Sequence, residues 1–154
     1  MVIVETASGQ THPIAISSVS HGELKLLKKA KYSFNWRQTA KTCPLFKLTI
    51  EGQEEILGVM ALVEHPGDNR VEIKLLASSV ENIGANKKFE GIVGCLLAYA
   101  CGESLKNYGE LACVSLLPKT ALKQHYMEKY GMLDGGRQVF LEGKPLFDWA
   151  KKNL

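Results

Sequence analysis

The segment from Val71 to Asn107 constrains this chain more than any other. Val71, Ile73, Leu75 and Ala77 alternate with Glu72, Lys74, Leu76 and Ser78, the period-two pattern of a strand with two unlike faces. A polar loop follows and ends in Lys87-Lys88-Phe89-Glu90-Gly91-Ile92-Val93-Gly94. From about Gly91 to Asn107, the residues Ile92, Val93, Leu96, Leu97, Ala100 and Leu105 form a broad apolar stripe at helical spacing, suited to packing on a sheet. Strand, glycine-bearing loop and helix N-terminus in that order outline an anion site. The first N–H groups of a helix have no partner inside it, the dipole adds partial positive charge, and glycine lets a phosphate approach the backbone. The chain is therefore expected to hold a phosphorylated ligand.

Size and charge narrow the class. A chain of 154 residues with 45% hydrophobic and 23% charged residues suits one soluble globular domain with its own core. A net charge of +3, with acids and bases interspersed, is too weak to argue for nucleic acid. The N-terminus has no basic region leading into a long apolar run, and no apolar stretch approaches the roughly 18 residues of a membrane span. No nucleic acid, no membrane and a cytoplasmic location are the expectations. Cys43, Cys95, Cys101 and Cys113 form no C-x-x-C pair and no zinc spacing, so they read as free thiols in a reducing compartment and no metal is expected.

The rest of the chain reads as a mixed α/β (α+β) domain. Short strands are expected over about Val2–Glu5 and Ile14–Ser17. Ser20-His21-Gly22-Glu23 has the form of a capping box, followed by Leu24, Leu27 and Ala30 on an amphipathic helix. Lys31 to Thr42 reads as a loop with Tyr32, Phe34 and Trp36, which either line a groove or cover the core. Pro44–Ile50 and Ile56–Glu64 form a hairpin, the second strand apolar on both faces and so central. His65–Asn69 is a turn. Leu111–Leu117 is apolar throughout, which suggests a buried strand parallel to a neighbour. Thr120 is placed to N-cap a helix through Tyr130, which Gly131 ends as a C′ residue. Gln138–Glu142 is one further strand, and Gly143-Lys144-Pro145 opens a last helix over about 145–153. Mixed, mostly antiparallel pairing with one crossover follows; a doubly wound dinucleotide fold would alternate strand and helix from the start.

Three features resemble the GNAT superfamily of N-acetyltransferases. The element order matches over about residues 2–142. Lys88-x-x-Gly91-x-Val93 resembles the family's Arg/Gln-x-x-Gly-x-Gly/Ala loop, with Val93 in the last position and Gly94 after it. Tyr126-Met127-Glu128-Lys129-Tyr130-Gly131-Met132 resembles its Phe-Tyr-Glu-Lys-x-Gly-Phe helix ending. The resemblance implies a GNAT-like acyl-CoA acyltransferase fold in a single domain spanning 1–154. It also implies acetyl-CoA as cosubstrate, with no metal, and transfer of an acetyl group to a primary amine of a small molecule or peptide. Main-chain groups of Lys88, Phe89, Glu90, Gly91, Ile92, Val93 and Gly94 would hold the pyrophosphate. Leu76, Ala77 and Ser78 would hold the pantetheine arm and thioester, between the Val71–Ser78 and Leu111–Leu117 strands splayed apart. The amine would attack directly in a ternary complex, with no covalent enzyme intermediate.

For the proton transfers, Glu72 is the candidate base on the strand beside the thioester; its other reading is a solvated glutamate paired with a neighbour. Tyr126 is the candidate acid, although the family's proton-donating tyrosine aligns with Met127. Tyr126 lies one residue earlier, about 100° around the helix. Ser78 and Ser79 lack the surroundings of a nucleophile elbow. The family's final hairpin reads as abbreviated to one strand, which leaves a second copy in a homodimer, or the last helix, to cover the sheet edge. The alternative to an enzyme is a non-catalytic acyl-CoA-binding or sensing module.

Overall fold

In a computed structural model that describes residues 1–153, the chain forms nine strands, β1 (Val2–Glu5), β2 (Thr11–Ser18), β3 (Leu45–Ile50), β4 (Gly58–His65), β5 (Arg70–Ser78), β6 (Phe89–Glu90), β7 (Cys113–Leu116), β8 (Leu133–Gly135) and β9 (Gln138–Glu142). Five α-helices join them: α1 (Lys29–Tyr32), α2 (Trp36–Ala40), α3 (Ile92–Tyr108), α4 (Lys123–Tyr130) and α5 (Gly143–Lys151). The strand order is β6-β1-β2-β3-β4-β5-β7-β9-β8. The described ladders are antiparallel except β5 with β7, which is parallel as expected for the buried strand after the crossover helix.

The chain divides into two compact units: Met1–Ala61 with Leu76–Leu96, and Leu62–Leu75 with Leu97–Leu154. β4, β5 and α3 each run through both. In the first unit, β2 pairs β3 from Ile14↔Ile50 to Ser18↔Phe46, and β3 pairs β4 from Leu45↔Ala61 to Leu48↔Gly58. The first five residues of β4 are all buried, as its two-faced apolar sequence requires. Gly58 is where β4 meets the start of α3. A methyl group there would lie 2.7 Å from Ile92 Cγ2 and 3.1 Å from Leu96 Cδ1. The Ile92 methyl moves only if χ1 turns, and a β-branched residue in a helix holds one preferred χ1, so Gly58→Ala is expected to cost about 1–3 kcal/mol by overpacking. A melting temperature within a degree of wild type would contradict that close approach.

Several sequence expectations need correction. The capping box is present, with the Ser20 N–H donating to Glu23 Oε1 at 3.0 Å. The helix it opens is only a 3₁₀ turn, His21–Leu26, followed by the four-residue α1. Of the presumed apolar face, Leu27 alone is buried; Leu24 is half-buried and Ala30 exposed, too little to hold a long helix on a core. The aromatic loop contains α2, capped by the Asn35 side chain accepting from the Gln38 N–H. Trp36 and Tyr32 belong to the core of the first unit, and Phe34 is half-buried. The Tyr32 hydroxyl donates to the Ile56 carbonyl at 2.7 Å, and burial pushes its pKa up to about 12.

In the second unit, the strand expected over Leu111–Leu117 shortens to β7. Gly109–Leu111 turns as 3₁₀, and Leu111 and Leu117 are 71% and 57% exposed. The end of the chain holds a complete hairpin, β8 paired with β9 from Leu133↔Phe140 to Gly135↔Gln138, so the expected truncation is wrong. β8 is too short and too exposed to show an apolar pattern. Gly131 does end α4 in the left-handed region at φ +71°. The Thr120 side chain, the expected N-cap, lies outside the described residues; α4 begins after the 3₁₀ turn Thr120–Leu122. The last helix starts at Gly143 and ends at Lys151.

Candidate active site

Of the strand, loop and helix singled out in the sequence, the first unit holds Leu76 to Leu96: the end of β5, the loop after it and the start of α3. The ladder of β5 with β7 runs from Arg70↔Cys113 to Ile73↔Leu116. Leu76, Ala77 and Ser78 lie past its end, which leaves their main chain on that side without a β7 partner. Beyond β5 the chain is pinned by a buried polar knot that sequence reasoning missed. The Asn82 side chain donates to Ser79 Oγ at 2.9 Å and accepts from the Phe89 N–H at 2.8 Å. The Lys88 N–H donates to the Glu81 carbonyl at 3.0 Å. These bonds close the base of the Ile83–Lys87 excursion. They leave Phe89 and Glu90 to pair with β1 as Glu5↔Phe89 and Val4↔Glu90. Thr6 Oγ1 adds a bond to the Lys87 carbonyl at 2.7 Å.

This geometry narrows the expected anion site. The N–H groups of Lys88 and Phe89 are already donated within the protein and are withdrawn from the set of free main-chain donors. Gly91 is the N-cap of α3, since its carbonyl accepts from the Cys95 N–H at 3.0 Å, and its φ of +102° is one that L side chains rarely adopt. The N–H groups of Ile92, Val93 and Gly94 in the first turn have no partner along the helix. No acidic side chain occupies that turn. Glu90, just before it, has Lys87 at 3.7 Å. Val93 and Gly94 are both half-exposed, whereas the Ile92 side chain is buried against β4.

In the second unit, Glu72 and His65 are brought together: His65 Nε2 lies 2.8 Å from Glu72 Oε1. Arg70, two residues before Glu72, donates to Ser115 Oγ at 2.6 Å and lies 3.3 Å from Asp68. Tyr126 is half-buried on α4, its ring 5.7 Å from that of Tyr130 and 6.0 Å from that of His125. Burial raises its pKa, which keeps the hydroxyl protonated at neutral pH and able to donate. Met127 is also half-buried, and its carbonyl accepts the Gly131 N–H at 3.1 Å, closing the helix. His65 was read only as part of a turn; no sequence signal marks a side-chain pair seven residues apart. Among the described residues no cluster of three His, Cys, Asp or Glu side chains could hold a metal ion, and no helix is long and apolar enough to cross a membrane.

No protein-family model matches the sequence, and no curated protein matches it by sequence. Similarity appears at the level of structure. A chimera of the Vibrio cholerae spermidine N-acetyltransferase SpeG and hSSAT superimposes with a TM-score of 0.66 at 13% identity, covering 88% of this chain and 99% of the other. A Bacillus subtilis acetyltransferase solved in complex with CoA gives a TM-score of 0.56 at 14% identity, over 85% and 98% of the two chains. A GNAT family acetyltransferase from Elizabethkingia anophelis with acetyl-CoA bound gives 0.56 at 16% identity, over 84% and 97%. The fold is the GNAT acyltransferase fold.

Proposed function

We propose that this protein is an acetyl-CoA-dependent N-acetyltransferase whose acceptor is a primary amine. The observation that carries the reading is the strand–loop–helix of Leu76–Leu96, set in a fold that similar proteins use with CoA or acetyl-CoA bound. In this reading the main-chain amides from Gly91 to Gly94 hold the pyrophosphate. The main chain of Leu76–Ser78, on the side past the β7 ladder, holds the pantetheine arm and polarises the thioester carbonyl, a kind of contact worth a few kcal/mol in the transition state. Lys88, Phe89 and Glu90 serve as the rigid approach to the site, through side chain and shape more than through free amides. Glu72 accepts the proton that leaves the attacking amine, and Tyr126 supplies one to the departing thiolate. Direct attack needs no covalent intermediate on the protein, and positioning does much of the work.

Acetyl-CoA present at about 100 times its dissociation constant is expected to stabilise the protein by about 2.7 kcal/mol, a rise of roughly 5–10 °C in melting temperature for a domain of this size. Thiol release should then appear with at least one member of a panel of polyamines, amino acids and lysine peptides. No melting shift at millimolar acetyl-CoA would sink the coenzyme reading. Binding without thiol release across the panel would sink the acetyl-transfer reading and leave a coenzyme-binding module.

A further inference from the structure

We propose that His65 is a positioning residue and proton outlet for Glu72, so that the two side chains work as one proton-accepting pair. The inference rests on the acetyl-transfer reading above. Residues 64 and 65 alternate across β4. Glu64 accepts hydrogen bonds from Asn107 and Tyr108 at the end of α3, which fixes its face, and His65 therefore sits on the opposite one. There His65 meets Glu72 at 2.8 Å. Glu72 is in register with Ser115, which is 2% exposed, and Arg70 lies two residues away on the same face. The guanidinium is directed to Ser115 and Asp68, so the partner the structure gives Glu72 is the imidazole.

Exposure gives the pair a direction. The Glu72 side chain is 17% exposed and the His65 side chain 34%. A carboxylate that takes a proton from a substrate must lose it again in every cycle. An imidazole bonded to it through Nε2 keeps Nδ1 available and reaches further into solvent, which makes it the exit. The balance is complete. The ammonium form of the acceptor gives one proton to the pair, which passes it to water. The free amine attacks the carbonyl carbon, forming C–N as C–S breaks. The second proton lost by nitrogen matches the one taken up by the thiolate.

The test compares wild type, His65→Ala and Glu72→Gln with the best amine of the panel. His65→Ala is expected to lower kcat by about 10- to 100-fold while KM for acetyl-CoA stays within about twofold and the acetyl-CoA melting shift is kept. Added imidazole should restore part of the His65→Ala rate. Glu72→Gln is expected to lower kcat at least as much and to gain nothing from imidazole. An unchanged kcat in His65→Ala, or a loss that imidazole does not repair, overturns the pair while the coenzyme reading stands. A wild-type protein that shows no acetyl-CoA melting shift overturns both.

Discussion

Gly91→Val is expected to remove most of the acetyl-CoA-induced rise in melting temperature. Gly91 caps α3 at φ +102°, a conformation that a β-branched residue adopts only under strain of about 1–3 kcal/mol. The Cβ itself has room: the nearest atom to it is the Val2 carbonyl oxygen at 3.8 Å, an ordinary contact. The backbone must therefore turn, and the amides of Ile92, Val93 and Gly94 turn with it. Since 1.4 kcal/mol is a factor of ten in affinity, the strain alone corresponds to a roughly 5- to 150-fold weaker complex if it is relieved by distorting the site. Gly52→Val is the control. Gly52 has φ +79° in the loop between β3 and β4, so valine there meets similar backbone strain away from the helix start. It should lower stability and leave the acetyl-CoA shift intact. A full shift in Gly91→Val would separate the helix N-terminus from coenzyme binding.

Trp36→Ala is expected to have the largest effect on stability. Trp36 is fully buried, and its indole N–H donates to the Tyr32 carbonyl at 2.8 Å. Removing the ring leaves a large cavity, while the Tyr32 carbonyl keeps the Phe34 N–H at 2.9 Å; the loss is about 3–5 kcal/mol, with a fall in melting temperature of roughly 10 °C or more. Trp36→Phe keeps much of the volume and loses the hydrogen bond, so it should fall between alanine and wild type. A melting temperature within about 2 °C of wild type for alanine would contradict a core role and return the aromatic segment to the surface. The result also bears on substrate recognition, because a Trp36 that carries the core has no face left for an acceptor groove.

The parts of this fold that were legible in the sequence are those where one residue pattern answers to one physical demand. β4 is apolar on both faces because both are covered. β5 alternates because its faces differ. Gly91 and Gly131 stand where the chain turns into left-handed φ. Patterns failed where burial depended on distant partners. Leu24, Leu27 and Ala30 have helical spacing, yet only one of them is covered, so the segment coils into short turns. Leu111 and Leu117 look like the ends of a buried strand, yet both face solvent. β6 and β8 are two and three residues long and carry no period at all. The candidate site follows the same rule. Its glycines and its strand could be read in one dimension. The Ser79–Asn82–Phe89 knot and the His65–Glu72 pair could not, because they are made by side chains whose meeting only the folded chain decides. The knot takes up the Phe89 amide, and the Glu81 carbonyl takes up that of Lys88, so neither is a free main-chain donor.

Backbone amide chemical shifts during an acetyl-CoA titration test whether the first turn of α3 holds the coenzyme. The largest changes are expected on Gly91, Ile92, Val93 and Gly94, with a second group at Leu76–Ser78, while the Lys88 and Phe89 amides keep their internal bonds and move less. Saturable changes centred elsewhere in the chain, with the first turn of α3 unmoved, would contradict coenzyme binding there.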